Sequence, residues 1–323
     1  MERVTALERV QIGVEATPGT LVDADQRLHT LMITPQARVN SRALPGLGSK
    51  SPVVQVVGRE HTEASLEGPA SYDELAYLLA AHLCVPSTSG DALLFEPQSE
   101  SEDTIKTLTV EVGNEDIAEA FGYGFVRSLQ FRATGVEVAV SGTMIGQALA
   151  VGQTLTAAPD DVPAVVITEK DWVVKIDDLA GGTPVTLERV DEFEWSSQDK
   201  WRERFYANQG ASWELPLGGR WNQTLRLSLQ YDTEANALMA GMRNGETYLV
   251  VFEAAGPAID VDTDYALNLK FAARVTSIER QEVDEVTNAQ AEFVVVHHPD
   301  FNTTGGAMTA LLTCTVTGLA PAP

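Results

Sequence analysis

The chain contains, at positions 66–80, the stretch LEGPASYDELAYLLA and, at positions 227–240, the related stretch LSLQYDTEANALMA. In each stretch a segment of alternating residues leads into Tyr-Asp, and apolar residues then recur every three or four positions. Alternation is typical of a half-buried strand, and the longer period is typical of a helix that packs on a sheet. The two stretches therefore predict a strand followed by a short helix, over 72–83 in the first and 231–242 in the second.

Further strand patterns follow both predicted helices. The segment TLTV at 107–110 matches TYLV at 247–250, and SLQF at 128–131 matches NLKF at 268–271, both 140 residues apart. The two Tyr-Asp pairs lie 159 residues apart, so the first copy has the longer loop after its helix. The repetition predicts a first domain at 1–150 that includes an N-terminal arm, a linker at 151–163 and a second domain at 164–323.

Each predicted copy consists mostly of strands and has one short helix. This pattern indicates a mainly β fold, with two tandem domains of β-sandwich or barrel type, each with a flanking helix. Each copy also contains a long segment rich in turn-forming residues, at 40–52 and at 196–219. Segments of this length are uncommon in compact domains unless they bind something, so both are predicted to be extended loops that make contacts.

The two predicted loops supply the candidate contact residues. Tryptophan and arginine are enriched among the residues that dominate protein–protein interfaces, and the second loop is rich in both. The candidates for contacts between subunits or between rings are Leu44, Leu47, Trp201, Arg202, Arg204, Phe205, Tyr206 and Trp213. Core packing is the alternative for some of the aromatic residues, most of all Trp195 and Trp221 at strand ends.

Composition limits the possible functions. The 323 residues carry a net charge of −24, which disfavours binding to polyphosphate chains. We find no apolar run long enough to cross a membrane and no N-terminal signal segment, so no membrane anchor is expected. The two cysteines, Cys84 and Cys314, lie in apolar surroundings and are expected to be reduced thiols.

Recognisable catalytic and cofactor-binding motifs are lacking. The sequence has no phosphate-binding loop, dinucleotide fingerprint, nucleophile elbow or zinc-protease helix. The cluster His297-His298-Pro299-Asp300 places its histidines on opposite sides of a strand, which is a poor arrangement for one metal ion. We therefore expect no enzyme activity, no cofactor and no metal.

The N-terminal segment VQIGVEATPGT at 10–20 resembles the opening of tail tube proteins of long-tailed, siphovirus-type bacteriophages. The later order of strand, long loop, strand, helix and strands is similar to the same family. The resemblance implies a structural virion protein, made in the host cytoplasm, whose rings stack into the tail tube. Two copies of the fold imply trimeric rings with a pseudo-sixfold shape. The implied partners are the protein itself and the tape measure, tail terminator and tail tip proteins.

A conduit for DNA should not hold its cargo, so its inner wall should be acidic rather than basic. Glu111, Glu137 and Glu279 lie on or beside the strands that follow the helices and are the candidate lumen-facing residues. DNA is expected to pass without specific binding. The alternative function is a soluble β-sandwich module that binds carbohydrate or protein through the tryptophan-rich segment 195–221.

Overall fold

The structure is a computed structural model that describes residues 7–48, 50–177, 179, 183–205, 213, 215–283, 286–301 and 306–320. The helices are α1 (Tyr72–His82) and α2 (Thr233–Asn244). The strands are β1 (Arg9–Val14), β2 (Gln26–Leu28), β3 (Met32–Pro45), β4 (Pro52–Pro69), β5 (Ser87–Ser89), β6 (Ala92–Phe95), β7 (Leu108–Gly113), β8 (Ala118–Thr134), β9 (Val138–Gly146), β10 (Ala150–Gln153), β11 (Asp160–Asp161), β12 (Trp172–Asp177), β13 (Val185–Thr186), β14 (Val190–Gln198), β15 (Trp201–Arg204), β16 (Leu215–Gly218), β17 (Asn222–Gln230), β18 (Tyr248–Ala258), β19 (Asp264–Val283), β20 (Val286–Val295) and β21 (Met308–Thr313). The prediction of a mainly β fold is confirmed.

Eight strands form one antiparallel sheet that passes through both halves of the chain. Their order is β3–β4–β9–β8–β14–β17–β20–β19. The halves join where β8 pairs with β14, from Ser128↔Gln198 to Thr134↔Glu192. We call these strands the eight-stranded sheet. Among the described residues, β3 pairs with β4 alone and residues 274–283 of β19 pair with β20 alone, so these strands are its edges.

The order of pairing is the same in both halves. It is β1–β7–β8–β9–β4–β3 in the first and β12–β18–β19–β20–β17–β14 in the second. Moreover, a β-bulge separates Val126 from Ser128 opposite β9, and another separates Val275 from Ser277 opposite β20. Equivalent positions in the two halves can therefore be assigned from the bulges and strand pairs.

These equivalences correct one of the predicted sequence matches. The strands β7 and β18 begin at Leu108 and Tyr248, in agreement with the predicted spacing of the first match. The bulges make Ser277 the residue of the second half that is equivalent to Ser128. The predicted match of 128–131 with 268–271 is therefore wrong by nine residues. The error has a physical cause, because an alternating pattern repeats every two residues and does not fix the register of a long strand.

The two helices occupy equivalent places but differ in environment. Every residue of α1 is buried, whereas α2 buries only Ala235, Leu238 and Gly241. α2 begins two residues later than predicted, because Asp232 remains outside the helix as its N-cap and accepts bonds from the amides of Glu234 and Ala235. Ser71 is the N-cap residue of α1, but its hydroxyl donates to the carbonyl of Pro163 at 3.4 Å instead of capping the helix.

The buried acidic residues of α1 are bonded to distant parts of the chain. The carboxylate of Glu74 accepts hydrogen bonds from the amides of His29, Thr30 and Leu31, at 2.6–3.0 Å for the closest oxygens. Asp73 accepts from the amide and hydroxyl of Thr315, just beyond β21. Because β21 pairs with β6 of the first half and β19 of the second, the C-terminal segment ties the halves together.

The predicted linker at 151–163 is not an independent coil. It includes most of β10, which pairs with β8, and all of β11, which pairs in parallel with β2. The next residues continue onto the start of α1, where the amide of Tyr72 donates to the carbonyl of Val165 at 3.0 Å. The linker segment therefore packs along the first half of the chain.

The N-terminal motif is held together by one buried carboxylate. Glu15 accepts hydrogen bonds from the amides of Gly19 and Tyr123 at 2.7 Å and from the hydroxyls of Thr107 and Thr109. Gly19 has a φ of 79°, which favours glycine. The glutamate and the glycine of the segment at 10–20 thus have a structural role in closing the turn.

Both segments that were predicted to be long loops contain β-strands, so these predictions are wrong. Residues 40–52 form the end of the β3–β4 ribbon, which continues to Pro45 on one side and from Pro52 on the other. In the second segment β14 extends to Gln198, and β15 pairs with β16 as a separate two-stranded hairpin. The valines at 53, 54, 56 and 57 are compatible with a strand, but the prolines and glycines nearby had favoured a loop.

Candidate assembly surfaces

One side of the eight-stranded sheet is apolar and buried, and the other is polar. The buried side includes Ile33, Leu66, Phe131, Phe193 and Leu227, all at most 2% exposed. The opposite side carries a set of residues that are all exposed or half-buried. We call this set the polar face, and its members are Met32, Thr34, Gln36, Arg38, Glu63, Ser65, Glu67, Ser128, Gln130, Arg132, Thr134, Ala139, Ser141, Thr143, Glu192, Glu194, Ser196, Gln198, Thr224, Arg226, Ser228, Gln230, Ser277, Glu279, Gln281, Asn288, Gln290 and Glu292. The strands of both halves therefore present one wide polar surface, and most of its side chains are uncharged.

The charges of the polar face are six glutamates and three arginines, a net charge of −3. Each arginine lies near a glutamate on the adjacent strand. The pairs are Arg38 with Glu63 at 2.7 Å, Arg132 with Glu192 at 2.5 Å and Arg226 with Glu292 at 3.9 Å. These pairs neutralise the arginines locally, so the face as a whole is mildly acidic.

The three predicted lumen-facing residues lie in different places. Glu279 is exposed on the polar face, and Glu137 is exposed in the turn between β8 and β9. Glu111 is buried on β7, where its carboxylate accepts from the amide and hydroxyl of Thr156 at 2.8 Å. The prediction that Glu111 lines a lumen is therefore wrong, because this carboxylate is used inside the chain. The polar face also carries Glu63, Glu67, Glu192, Glu194 and Glu292. The sequence analysis did not select them, although their two-residue spacing on strands was a usable signal.

The outer part of the β3–β4 ribbon is exposed on both sides. We call residues Val39–Val57 the arm. Its exposed side chains include the candidate Leu47, whereas Leu44 is half-buried. Exposed valines accompany them at positions 39, 53, 54, 56 and 57. Apolar side chains on a projecting ribbon are unusual for an isolated chain and indicate a contact surface.

The second hairpin packs against the chain itself. Trp201 and Trp213 are 5% and 0% exposed and form a core cluster with Tyr123, Phe125 and Ile145. The indole nitrogens donate to the carbonyls of His82 at 2.7 Å and Gly146 at 2.9 Å, respectively. Trp201 and Trp213, which were predicted to make contacts between subunits or rings, therefore lie in the core of the chain.

The other candidates of this segment are more accessible. Arg202 and Arg204 are exposed, and Arg202 lies 3.5 Å from Asp199. Phe205 is half-buried, with its ring under the guanidinium of Arg59 at 5.0 Å. Tyr206 lies outside the described residues. The role of these residues in subunit contacts stays a prediction.

The tryptophan burial also weakens the alternative function. A carbohydrate platform requires accessible aromatic rings, but Trp195, Trp201 and Trp213 are at most 5% exposed. Trp221 is half-buried, and its indole donates to the hydroxyl of Ser197 at 2.6 Å. These indole rings pack within the chain, and their nitrogens are used in hydrogen bonds to it.

A buried polar cluster anchors the base of the second hairpin to α1. The amine of Lys200 lies 2.7 Å from Asp103 and also donates to the carbonyl of Leu83. Nδ1 of His82 donates to the carbonyl of Val126 at 2.9 Å, so Nε2 accepts from the hydroxyl of Ser197 at 2.6 Å. Burial lowers the pKa of His82 to about 4, and the nearby Lys200 charge acts in the same direction. This histidine is neutral at physiological pH.

We expect His82 to make the stability of the chain depend on pH. Its pKa is lower in the folded chain than the ordinary 6.5, so protons favour the unfolded chain as the pH falls from about 6.5 to 4. Between pH 7 and pH 5 the histidine should remove about 2 kcal/mol of unfolding free energy. Denaturant titrations at both pH values should show this difference in the wild type and a smaller one in His82→Gln. An equal pH dependence in both proteins would contradict the assignment.

We also expect Trp201→Ala to destabilise the chain, by about 3–5 kcal/mol, because it leaves a cavity beside Phe125. Arg202→Ala, one residue away on the exposed side of the hairpin, is the matched control and should change the unfolding free energy by less than about 0.5 kcal/mol. Urea denaturation followed by tryptophan fluorescence measures both. Equal stability of the two variants would mean that the indole is not a core residue.

In the described ranges, no three His, Cys, Asp or Glu residues are grouped so as to hold a metal ion. Of the helices that the structure describes, none is sufficiently long and apolar to span a membrane. The surfaces that stand out are the polar face, the arm and the two sheet edges.

Comparison with known proteins agrees with the resemblance of the N-terminal segment. A family model described as phage tail tube protein matches residues 5–295, which include all eight strands of the eight-stranded sheet. No curated protein matches the sequence significantly. A structural role fits the polar face and the arm described above. The chain belongs to the phage tail tube protein family, whose members are structural proteins of the virion tail.

Proposed function

We propose that three copies of this chain form a ring with a pseudo-sixfold shape, and that the rings stack into the tail tube. The proposal treats residues 1–150 and 164–323 as two copies of one tail tube fold. The observation that supports it most is the junction between β8 and β14, where one half pairs edge to edge with the other. The same kind of junction between copies would close a ring.

The repeated pairing order predicts the register of the junction between copies. The shared bulges make β19 the equivalent of β8, and the strand pairs make β3 the equivalent of β14. Transferring the β8–β14 pairs gives Arg38 opposite Ser277, Gln36 opposite Glu279 and Thr34 opposite Gln281 of the next copy. In the described part of the chain, β3 pairs with β4 alone and residues 274–283 of β19 pair with β20 alone. Both edges can therefore form backbone hydrogen bonds with a strand of another copy.

The dimensions of such a ring suit a DNA conduit. Three eight-stranded sheets would supply about 24 strands, which at ~4.8 Å spacing give a circumference near ~115 Å and a backbone diameter of about 37 Å before strand tilt. A duplex roughly 20 Å wide could pass. We place the polar face on the inside, because side chains that are mostly neutral or acidic give DNA little to bind.

The chain would act as a structural protein and not as an enzyme. Its proposed partners are further copies of itself within and between rings, together with tape measure, tail terminator and tail tip proteins. Synthesis in the host cytoplasm and passage of the genome through the tube during ejection belong to the same proposal. The accessible residues of the arm and of the second hairpin are the proposed contacts between copies.

Electron microscopy of the purified protein tests the proposal directly. We expect rings or tubes whose averaged end views have six similar lobes from three chains. Mass measurement of single rings should give three times the 34.8 kDa chain mass. A ring of six chains would contradict the stoichiometry. A stable monomer under all conditions, including high protein concentration and low salt, would contradict assembly.

A further inference from the structure

The arm of the first half has a counterpart in the second half. In the arm Ser41 pairs with Val57, and in the β15–β16 hairpin Trp201 pairs with Gly218. Three residues separate Val57 from His61 in β4, and three separate Gly218 from Asn222, where β17 begins. Both ribbons also deviate at the same place, by a bulge between Val39 and Ser41 and by the interruption between β14 and β15. The arm and the β15–β16 hairpin are therefore equivalent elements.

The β15–β16 hairpin shows where such an element can pack. It crosses the β8–β14 junction and covers Phe125 and Ile145, which lie on the polar side of the sheet near its end. Trp201 fills this site, and it pairs with Gly218 on the opposite strand of the hairpin. Nε2 of the Gln147 amide also donates to the carbonyl of Trp213 at 2.9 Å. In the first half this end of the sheet is thus covered by an element of the second half.

The corresponding end of the sheet in the second half is partly uncovered. The shared bulge makes Arg274 the equivalent of Phe125 and Val294 the equivalent of Ile145. A backbone bond supports the assignment, because the Val296 amide donates to Ala272 as the Gln147 amide donates to Gly122. Arg274 is exposed, and Val294 and Val296 are half-buried. We call Arg274, Val294 and Val296 the acceptor patch.

We propose that the arm of one copy docks on the acceptor patch of the next copy in the same ring. The proposal rests on the proposed ring and names a contact within it. The arm cannot reach its own patch by closing onto it, because β3 and β19 are the opposite edges of the sheet and lie about 34 Å apart at ~4.8 Å per strand. Across the β19–β3 junction of a ring, however, arm and patch are neighbours in the same way as the β15–β16 hairpin and Phe125.

The chemistry of the arm suits a second copy as its partner. In the arm, Val57 is equivalent to Gly218 and Ser41 is equivalent to Trp201. The larger residue of the pair therefore lies on the second strand of the arm, whereas in the hairpin it lies on the first. Val57 is 69% exposed and would pack on the valines of the patch. The arm, residues 39–57, contains Arg42 and Lys50 and no acidic residue, whereas the whole chain has a net charge of −24. A basic, apolar arm is therefore attracted to another copy of this acidic protein as a whole, and the contact itself would be made with the valines of the patch and not with Arg274.

Cross-linking between cysteines tests the contact in assembled protein. The variant Val57→Cys/Val294→Cys would be treated with a short bismaleimide at pH 7 and separated on a denaturing gel. Burial raises the pKa of Cys84 and of Cys314 to about 12, so the native thiols should react slowly. We expect the monomer band to be lost to covalent dimers and trimers. The matched control Val57→Cys/Val136→Cys places the second thiol in the exposed β8–β9 turn, at the other end of the sheet, and should remain monomeric.

The outcomes separate this contact from the ring itself. Rings that form normally but give no linkage in the Val294 variant, or linkage only in the Val136 control, would overturn the docking site and leave the ring proposal standing. A ladder that continues far beyond three chains would mean that the arm joins successive rings, which also overturns it. Failure of the unmodified protein to form rings at all contradicts the proposed function, and docking within a ring with it.

Discussion

Replacing Ala37 with proline is expected to prevent ring closure and to leave the chain folded. Proline has no amide hydrogen, so Pro35 is compatible with the β3–β4 ladder when its nitrogen points to the free edge of β3. Amide direction alternates along an antiparallel strand, so the amide of Ala37 should also point to this edge. Pro35 already leaves one position of the proposed junction with β19 without an amide hydrogen, and Ala37→Pro would remove the next hydrogen bond on the same edge and add a second ring where the neighbouring strand must approach.

The effect should be large because a closed ring contains the junction three times. A lost hydrogen bond costs about 0.5–1.5 kcal/mol at each junction, and the clash of the proline ring adds to it. Sedimentation should find Ala37→Pro as a monomer under conditions in which the wild type forms rings or tubes. Thermal denaturation should give similar midpoints for the monomeric chains.

Ala37→Ser is the matched control, because serine keeps the amide hydrogen and is similar in size. It should assemble as the wild type does. Normal assembly of the proline variant would show that β3 is not the closing edge. Unfolding of the proline variant alone would show that the amide of Ala37 bonds to β4, and the experiment would then be repeated at Gln36, whose amide would be the one facing outwards.

The sequence predicted elements better than it predicted their environment. Strands after both helices and the helices themselves were found from periodicity, because burial on one side imposes that period. The register was not found, since the bulges at 126–128 and 275–277 add residues that an alternating pattern cannot reveal. The match of 128–131 with 268–271 failed for this reason.

Residue type alone did not separate core from interface. Trp201 and Trp213 were assigned to contacts between subunits because tryptophan is enriched there, but a protein core buries the same side chain with similar gain. The valines at 53–57 of the arm are exposed, although valine is usually buried. The equivalence of the arm and the second hairpin explains both observations, because one element is covered within the chain and the other projects from it.

The polar face was predictable in part. The acidic inner wall stays a prediction. The polar face, which we propose for it, is mildly acidic, but most of its members are Ser, Thr, Asn and Gln, and its acidic residues are all glutamates. The three arginines beside glutamates were not expected, because cross-strand pairs become visible only once the register is known. Glu111 was chosen from its strand position, yet the side on which it lies is used to bind Thr156.

Reversing charge on the polar face is expected to turn the tube into a DNA-binding tube. Glu67→Lys/Glu279→Lys changes the net charge of the face from −3 to +1 per chain and leaves the three arginine–glutamate pairs in place. Both side chains are exposed, so the chain should fold and assemble. Stacked rings would present these lysines repeatedly to a duplex, and each phosphate contact would release condensed counterions.

Co-sedimentation of assembled tubes with short DNA duplexes measures the effect. The wild type should leave the DNA in solution, whereas the variant should retain it at low salt and release it as salt rises, with a log–log slope of about −0.9 for each phosphate contacted. Glu100→Lys/Glu102→Lys is the matched control, because it makes the same change in net charge at exposed positions away from the polar face. Because the whole-chain charge remains strongly negative in both variants, retention by the first alone requires that its lysines face the DNA at close range. Equal retention by both variants, or by neither, would mean that the polar face does not line the channel.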